Sequence, residues 1–438
     1  MISQKILVIG SGAREHSIVR AISRSSHPND IFCIGTNINP GIAELCKEFV
    51  VENFNKVNIV SKYATDNNIS MAVVGPENPL QEGLADALWT SGVPVIGPKK
   101  NLAKIETSKA FTRNLLKKYN IPGVPKYKVF KSIEGVQSFL EELGENYVVK
   151  FDGLAGGKGV KVSGDHLSSH EEALEYCRVL NAQNHQFVIE EKFIGQEFSL
   201  MSYTDGKTLK HMPAVQDHKR AYENDEGPNT GGMGTYSDAN HSLPFLRNTE
   251  IKMAHKINQE TTNALMKEFG EGYKGVLYGG FMATKNGVKL IEYNARFGDP
   301  EAMNVLSILE TDFLEICHGI ATETLDQIDV RFRNKATVCK YAVPEGYPDN
   351  PLKGEKISIS QIKDKDSLYY ASVDIKNENL VEAGSRTIAV LGVEDTIEEA
   401  EKVAEKKISK IEGPLFHRKD IGTSSLIAKR VKHMDSLR

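Results

Sequence analysis

The sequence is poor in cysteine: of 438 residues only Cys33, Cys46, Cys177, Cys317 and Cys339 carry thiols, and none stands in a CxxC pair. An odd number without paired spacing argues against a disulfide framework or a zinc ribbon. There is one tryptophan and no long hydrophobic run; nothing approaches the ~18 apolar residues of a membrane span. The opening "MISQKILVIGSG" lacks the apolar centre and cleavage pattern of a secretory leader. Nor is one charge in excess, since 54 Lys and Arg stand against 58 Asp and Glu, for a net charge of −4. A dedicated nucleic-acid binder shows a basic stripe. The longest basic run here, "AKRVKH" (428–433), reads as a solvated end. These absences lead us to expect a monomer of a reducing cytoplasm, with neither membrane nor nucleic acid as partner.

What is present is an ordinary core-forming chain, 40% apolar and long enough for two to four domains at about 100–200 residues each. Its first hundred residues repeat one rhythm. "KILVIG" (5–10), "IFCIG" (31–35), "MAVVG" (71–75) and "VPVIG" (93–97) are short apolar runs ending in glycine, several of them separated by helix-like stretches. Buried parallel strands have this pattern, and the reading is a doubly wound α/β domain over 1–103. Ligands of such sheets bind beyond the carboxyl ends of the strands. "GSGARE" (10–15) has the first two glycines of a dinucleotide fingerprint, but Glu15 replaces the third. No acidic residue closes the second strand for a ribose, so a nicotinamide oxidoreductase is disfavoured. Two glycines before a helix still present backbone N–H groups to an anion.

From 104 the pattern becomes α+β. "TSKAFTRNLLKKY" (107–119) reads as a helix capped by Thr107 or Ser108, with Ala110, Phe111, Leu115 and Tyr119 as its apolar face. "YVVK" (147–150) reads as a strand, "HEEALEYCRVL" (170–180) as a helix, and "FVIEEKFIGQEFSLMSY" (187–203) as two strands around a bend. Residues 205–245 are polar and glycine-rich and read as a long functional loop. Strands follow at 276–284 and 288–297. After 330, strands and the helix "DTIEEAEKVAEKKISKI", with Ile397, Ala400, Ala404, Ile408 and Ile411 on one stripe, form a separate α+β domain. The expected division is 1–103, 104–325 with a small lobe at 124–193, and 326–438.

"FDGLAGGKGV" (151–160) invites comparison with a Walker A loop, yet Gly159 follows Lys158 where that loop needs Ser or Thr. The strand-like "VKVSG" beyond it makes the segment a hairpin flap lying over phosphates. Lys150 and Lys158 would supply point charges to a polyphosphate. "IEEKFIGQE" (189–197) offers a linker strand for an adenine edge, with carboxylates beyond it. In "LIEYNARFGDPE" (290–301), Glu292, Asn294 and Arg296 share one face of a strand. A carboxylate and an amide oxygen there suit a magnesium ion that shares its ligands with phosphate. Asp299 is expected as an N-cap with Pro300 at the first helical position. In "QDHKR" (216–220), Asp217, His218, Lys219 and Arg220 suit a small zwitterion or a phosphate, and His218 equally suits a hydrogen-bonded surface histidine.

Taken together, "GSGAREH", "VGPENPL", "SKAF", "KFDGLAGGKGV", "QDHKR", "GPNTGGMG", "EYNARFGDPE" and "HRKDIG" resemble, in order and over nearly the whole chain, the phosphoribosylamine–glycine ligase family of the ATP-grasp superfamily. The resemblance implies an N-terminal Rossmann-like domain, a central ATP-grasp fold with a flap lobe and a C-terminal α+β domain. It implies ATP-dependent ligation of glycine to 5-phosphoribosylamine through an acyl phosphate, in purine biosynthesis. It places Lys109 and Lys150 at the ATP phosphates or the adenine region, the flap with Gly156, Gly157 and Lys158 over the phosphates, Glu190, Glu191 and Phe193 along the adenine hinge, and Glu197 at the ribose. Glu292 and Asn294 would hold Mg2+ or Mn2+. Asp217, Lys219 and Arg296 would serve the chemical step. Gly10, Gly12, Arg14, Glu77, Asn78, His218, Gly231, Gly232 and Asp299 would border glycine and the ribose phosphate. The chain departs from the family at Ala13, where a glycine is usual, and at Gly280, where similar sequences can carry Gln as a further metal ligand.

Overall fold

A computed structural model describes residues 3–156 and 159–438. Gly157 and Lys158 of the flap lie outside the described residues.

Five parallel strands, β1 (Gln4–Ile9), β2 (Asn29–Gly35), β3 (Glu48–Val51), β4 (Met71–Val74) and β5 (Val95–Ile96), form the first sheet in the order β3-β2-β1-β4-β5. Both faces are covered. Leu7, Ile9, Ala72 and Val74 enter one core cluster, and Ile6, Val8, Met71 and Val73 enter another. That is why these strands read as unbroken apolar runs. The strand order reverses at β1, and the crevice beyond β1 and β4 is walled by the loop at Gly10–Gly12 and by the start of the helix Glu77–Glu82.

The helix expected over 107–119 is Lys109–Lys118, and a separate helix, Lys100–Thr107, runs directly before it. Ser108 divides them, and its Oγ accepts from the Phe111 N–H at 3.0 Å, the cap that stops the first helix and starts the second. The buried face of the second is Ala110, Thr112, Arg113, Leu115 and Leu116. Phe111 and Tyr119, expected on it, are half-buried and pack against the edge of the core.

The small lobe is an antiparallel sheet of β6 (Tyr127–Phe130), β7 (Tyr147–Phe151), β8 (Val160–Val162) and β9 (Phe187–Glu191), in the order β6-β9-β7-β8. β7 and β8 pair as the hairpin that carries the flap. The larger sheet begins with β10 (Gly195–Asp205) and β11 (Leu209–His211). Residues 205–245 are not one loop. They contain β11, β12 (Gln216–Asp217), the hairpin β13 (Arg220–Tyr222) and β14 (Glu226–Asn229), and β15 (Gly234–Ser237). β16 (Lys274–Thr284) and β17 (Gly287–Asn294) follow, and the large sheet runs β11-β10-β16-β17.

β12 and β15 join a sheet completed far downstream by β18 (Ala336–Pro344), β19 (Leu368–Tyr370) and, past the hairpin β20 (Val373–Lys376) and β21 (Asn379–Glu382), β22 (Ile388–Glu394). The helix Ile397–Ile408, capped by Thr396, buries Ile397, Ala400, Ala404 and Ile408, while Ile411 falls beyond its end. The basic tail is a helix, Ser424–Leu437, with Leu426 and Met434 buried. No helix among the described residues is long and apolar enough to cross a membrane.

Candidate active site

A cleft of about 880 Å³ opens between the small-lobe sheet, the large sheet and the β12–β15 segment. Its roof is the flap, with Leu154, Gly156 and Gly159 on the lining. The flap base is tied to the helix Lys109–Lys118. Asp152 accepts from the Ala110 N–H at 3.0 Å and from the Ser108 hydroxyl at 3.2 Å, and Lys109 Nζ donates to the Gly153 carbonyl at 2.7 Å.

Behind the flap, Lys150 lines the cleft from the end of β7 and is nearly buried. It forms an ion pair with Glu190 and donates to the Ile291 carbonyl at 3.1 Å. Arg113 holds the same Glu190 through two bonds of 2.7 and 3.0 Å and donates to the same carbonyl at 2.6 Å. Burial disfavours the charge on Lys150 and brings its pKa down, against the pull of Glu190. Burial also opposes ionisation of Glu190, but Arg113 and Lys150 win, and its pKa lies below the usual range. The Glu190 carboxylate, expected at the adenine hinge, is thus committed to two cations. Glu191, Lys192 and Phe193 continue along the cleft wall.

On the opposite wall Glu292 and Asn294 project from β17. Lys219 links this wall to the next, 2.9 Å from the Glu197 carboxylate and 3.9 Å from that of Glu292. Glu197, expected at a ribose, therefore carries Lys219. Burial works against the charge of Glu292, yet Lys219, Lys150 and Lys109 around it pull its pKa down, so it stays ionised. Among the described residues no three His, Cys, Asp or Glu side chains converge on a metal position. One ionised carboxylate and one amide oxygen fit a hard cation that takes its remaining oxygens from phosphate and water. Gly280 pairs with Glu292 across the strands, and a Cβ there would meet the Glu292 carbonyl and side chain at 3.5 and 3.6 Å, so a side chain has room to start.

Arg296 lies just beyond β17, and its guanidinium is engaged by Glu77 at 3.2 Å, Glu106 at 3.1 Å and the Asn294 amide oxygen at 3.3 Å. Burial opposes the charge on Glu77, but Arg296 and Arg14 overcome it and hold its pKa at about 2. Glu106 is buried more completely and its pKa is raised in spite of Arg296. Asp217 and Glu301 share the floor of the cleft, and burial raises both pKa values, Asp217 further through the charges of Glu301 and Glu197. His218 donates from Nδ1 to the Gly234 carbonyl at 3.1 Å. Burial and the charges of Arg430 and Arg418 bring its pKa to about 3, so it is neutral and inside, not a surface histidine.

Asp299 is not an N-cap. The helix starts at Glu301, Pro300 holds the cap position without a side-chain bond, and the Asp299 carboxylate accepts instead from the Tyr341 hydroxyl at 2.6 Å and pairs with Arg386 at 3.3 Å. Arg386 also donates to the Gly231 and Gly232 carbonyls at 2.6 and 3.2 Å. Gly232 has φ +113°, and a Cβ there would lie 2.7 Å from the Asp217 carboxylate, so only glycine lets this turn pass. Asp299 and Arg386 line the main cleft and a neighbouring cavity of about 250 Å³, which also reaches Gly10 and Gly12. Gly10, at φ +110°, has no room for a Cβ beside Glu15. Ala13 is fully buried with Met233 and Met303, so its methyl group fills core rather than loop. Arg14 and Glu77 line the main cleft, whereas Asn78 is exposed and lines neither cavity.

The basic tail is not a solvated end. Arg430 lines the cleft and pairs with Asp225 at 2.5 Å, and His433 meets Gln196 at 2.6 Å. Arg418 of "HRKDIG" is buried and ties Asp225, Asp420 and the Arg220 carbonyl together. Sequence reasoning missed Arg113, Glu106, Glu301, Arg386 and Arg430. The signal for Arg430 is its helical spacing from Leu426 and Met434, which places it on the buried face.

Family models for phosphoribosylglycinamide synthetase match the chain in three consecutive pieces: the N domain over 4–106, the ATP-grasp (A) domain over 107–302 and the C domain over 337–424. The phosphoribosylamine–glycine ligase of Methanosarcina acetivorans is 52% identical over 434 residues, covering 99% of this chain and 98% of its own. That of Methanocaldococcus jannaschii is 49% identical over 444 residues, covering 99% and 100%. The crystal structure of the phosphoribosylamine–glycine ligase of Thermotoga maritima aligns with a TM-score of 0.80 at 27% identity, over 95% of this chain and 99% of that one. With identity sustained over the full length and all three domains matched in order, the chain belongs to the phosphoribosylamine–glycine ligase family.

Proposed function

We propose that the protein joins glycine to 5-phosphoribosylamine at the expense of ATP, giving glycinamide ribonucleotide, ADP and phosphate in purine biosynthesis. One observation carries this reading. A single cleft gathers a lysine-backed flap with the Glu292–Asn294 pair and, adjoining that pair, Asp217, Lys219, Arg296 and Asp299, with Lys219 3.9 Å from Glu292 and Arg296 3.3 Å from Asn294. The first set suits a nucleotide triphosphate and the second a small amino acid and a ribose phosphate. The glycine carboxylate oxygen attacks the γ-phosphorus and the bond to ADP breaks. The amine nitrogen of phosphoribosylamine then attacks the acyl carbon, phosphate leaves with the bonding pair, and the nitrogen loses a proton. Positioning and charge neutralisation suffice for such transfer, and no covalent enzyme intermediate is needed.

Lys109 and Lys150 face the phosphates, and the flap covers them. Glu191 and Phe193 border the adenine. Asp217, with its raised pKa, is the group assigned to take the proton that the amine sheds. Gly10, Gly12, Arg14 and Glu77 border the ribose phosphate. Glu292 and Asn294 hold Mg2+ or Mn2+, which supplies charge neutralisation at the phosphates. The protein acts as a monomer in a reducing cytoplasm, a setting that suits its unpaired thiols, and its three units divide near residues 103 and 325.

The test is ADP release with ATP, Mg2+, glycine and freshly made phosphoribosylamine. Release should require both glycine and the amine, and release independent of either would overturn the reading. Glu292→Ala should abolish metal-dependent turnover while circular dichroism stays unchanged. Wild-type turnover in that variant would remove the metal assignment.

A further inference from the structure

Arg113 does not line the cleft, yet with Arg418 it is one of the two largest fully buried side chains among the described residues. It stands on the helix Lys109–Lys118, whose other inward residues are Ala110, Thr112, Leu115 and Leu116. Burying an arginine on such a face costs several kcal/mol unless partners restore its solvation. Its partners are Glu190 of the small lobe and the Ile291 carbonyl of the large sheet, and Lys150 bonds to both of the same groups. The cluster therefore spans the junction of the two lobes. It holds two cations against one carboxylate, leaving one positive charge, and of its members Lys150 and Glu190 face the cleft. Glu292 is the other acid acting on Lys150.

We infer that Arg113 is a positioning residue for nucleotide binding: by holding both carboxylate oxygens of Glu190, it leaves the ammonium of Lys150 with charge to give to a phosphate. Without Arg113, Glu190 and Lys150 would form a closed one-to-one pair, and an incoming phosphate would have to compete with a buried carboxylate for the lysine. With Arg113, Glu190 stays satisfied when Lys150 turns to the nucleotide. The bidentate fork suits this role, since it fixes the carboxylate in place while a point charge is free to swing. The inference rests on the cleft being an ATP site, and it assigns the Glu190 side chain to Lys150 and Arg113 and not to the nucleotide.

The charge count makes an unusual demand on mutants. Arg113→Met should weaken ATP binding by about tenfold or more, the scale of one lost charge-assisted contact. Removing the carboxylate as well, in Arg113→Met/Glu190→Gln, should free Lys150 and recover most of that loss. If Arg113 only holds the fold together, the second change deepens the defect. The dissociation constant of ATP is read by calorimetry in Mg2+ on the full chain, and the KM for glycine by ADP release. Recovery in the double variant to within about fivefold of wild type, with the glycine KM steady in every variant, supports the inference. A double variant as weak as the single one, or a glycine KM rising in step, overturns it. Should Arg113→Met not fold, the double variant decides by the same fivefold limit. Wild-type protein that shows no ATP binding would instead refute the assignment of the cleft, which separates the two failures.

Discussion

Glu77 stands between Arg296 and Arg14 where the first sheet meets the cleft, and those two guanidinium groups decide its protonation. Its pKa falls from the ordinary 4.5 to about 2. A depressed carboxylate stabilises the fold above its unfolded pKa, and that contribution disappears as the pH falls through the folded value. The window is therefore about 4.5 down to about 2. Glu77→Gln should destabilise the protein at pH 7 by about 1–2 kcal/mol, and the gap to wild type should close between pH 4.5 and 2. Urea unfolding at several pH values measures this, and a gap that does not narrow in acid would contradict the pairing with Arg296. At this scale the sequence is legible where function follows strand periodicity. Glu292 and Asn294 alternate on one face, and that was visible. Arg113 and Glu106 were not, because each is a single charge set among apolar neighbours on a helix, and only tertiary packing reveals the opposite charge that meets it.

Among the elements, the flap hairpin could be read directly, since an apolar strand, a glycine run and a second strand are adjacent in sequence. β12 and β15 could not, because β12 pairs with β15 across a polar stretch and the other partner of β15, β18, lies about a hundred residues on. Asp299 misled for a related reason: a Gly-Asp-Pro-Glu sequence is a good local cap, but Tyr341 and Arg386 outbid the helix for its carboxylate. The last helix was misjudged because its lysines hide the inward stripe of Leu426, Arg430 and Met434. That stripe makes a specific demand. Arg430→Gln should leave Asp225 to Arg418 alone and loosen the β13–β14 hairpin beside Lys219. We expect the glycine KM to rise several-fold with the ATP dissociation constant unchanged, both from steady-state and binding measurements. Equal effects on the two substrates would mean that the helix supports the whole cleft and not its acceptor end.

For the molecule as a whole, the nucleotide should act as a staple, because the cleft is walled by the small lobe, the large sheet and the β12–β15 segment together. A ligand at a hundred times its dissociation constant adds about 2.7 kcal/mol to the stability of the form that binds it. ATP with Mg2+ should accordingly raise the apparent melting temperature, and Glu292→Ala should lose the part of the rise that depends on the metal. Scanning calorimetry with ATP alone, and with ATP and Mg2+, separates the two. A metal-dependent rise of full size in Glu292→Ala would place the ion elsewhere.

The pairing of β15 with β18 sets an order of events on the ribosome. When residue 302 has emerged, the flap, Lys150, Glu190, Glu292 and Asn294 have all been made, and the sheets that carry them can close. Asp217 and Lys219 have been made too, but β15 then has only the two-residue β12 beside it, and its other edge stays open until residues 337–340 arrive. A nascent chain can therefore assemble the grip on the nucleotide before the acceptor end takes shape. ATP held at that stage faces no ordered carboxylate acceptor, so a half-made enzyme has little means of spending it.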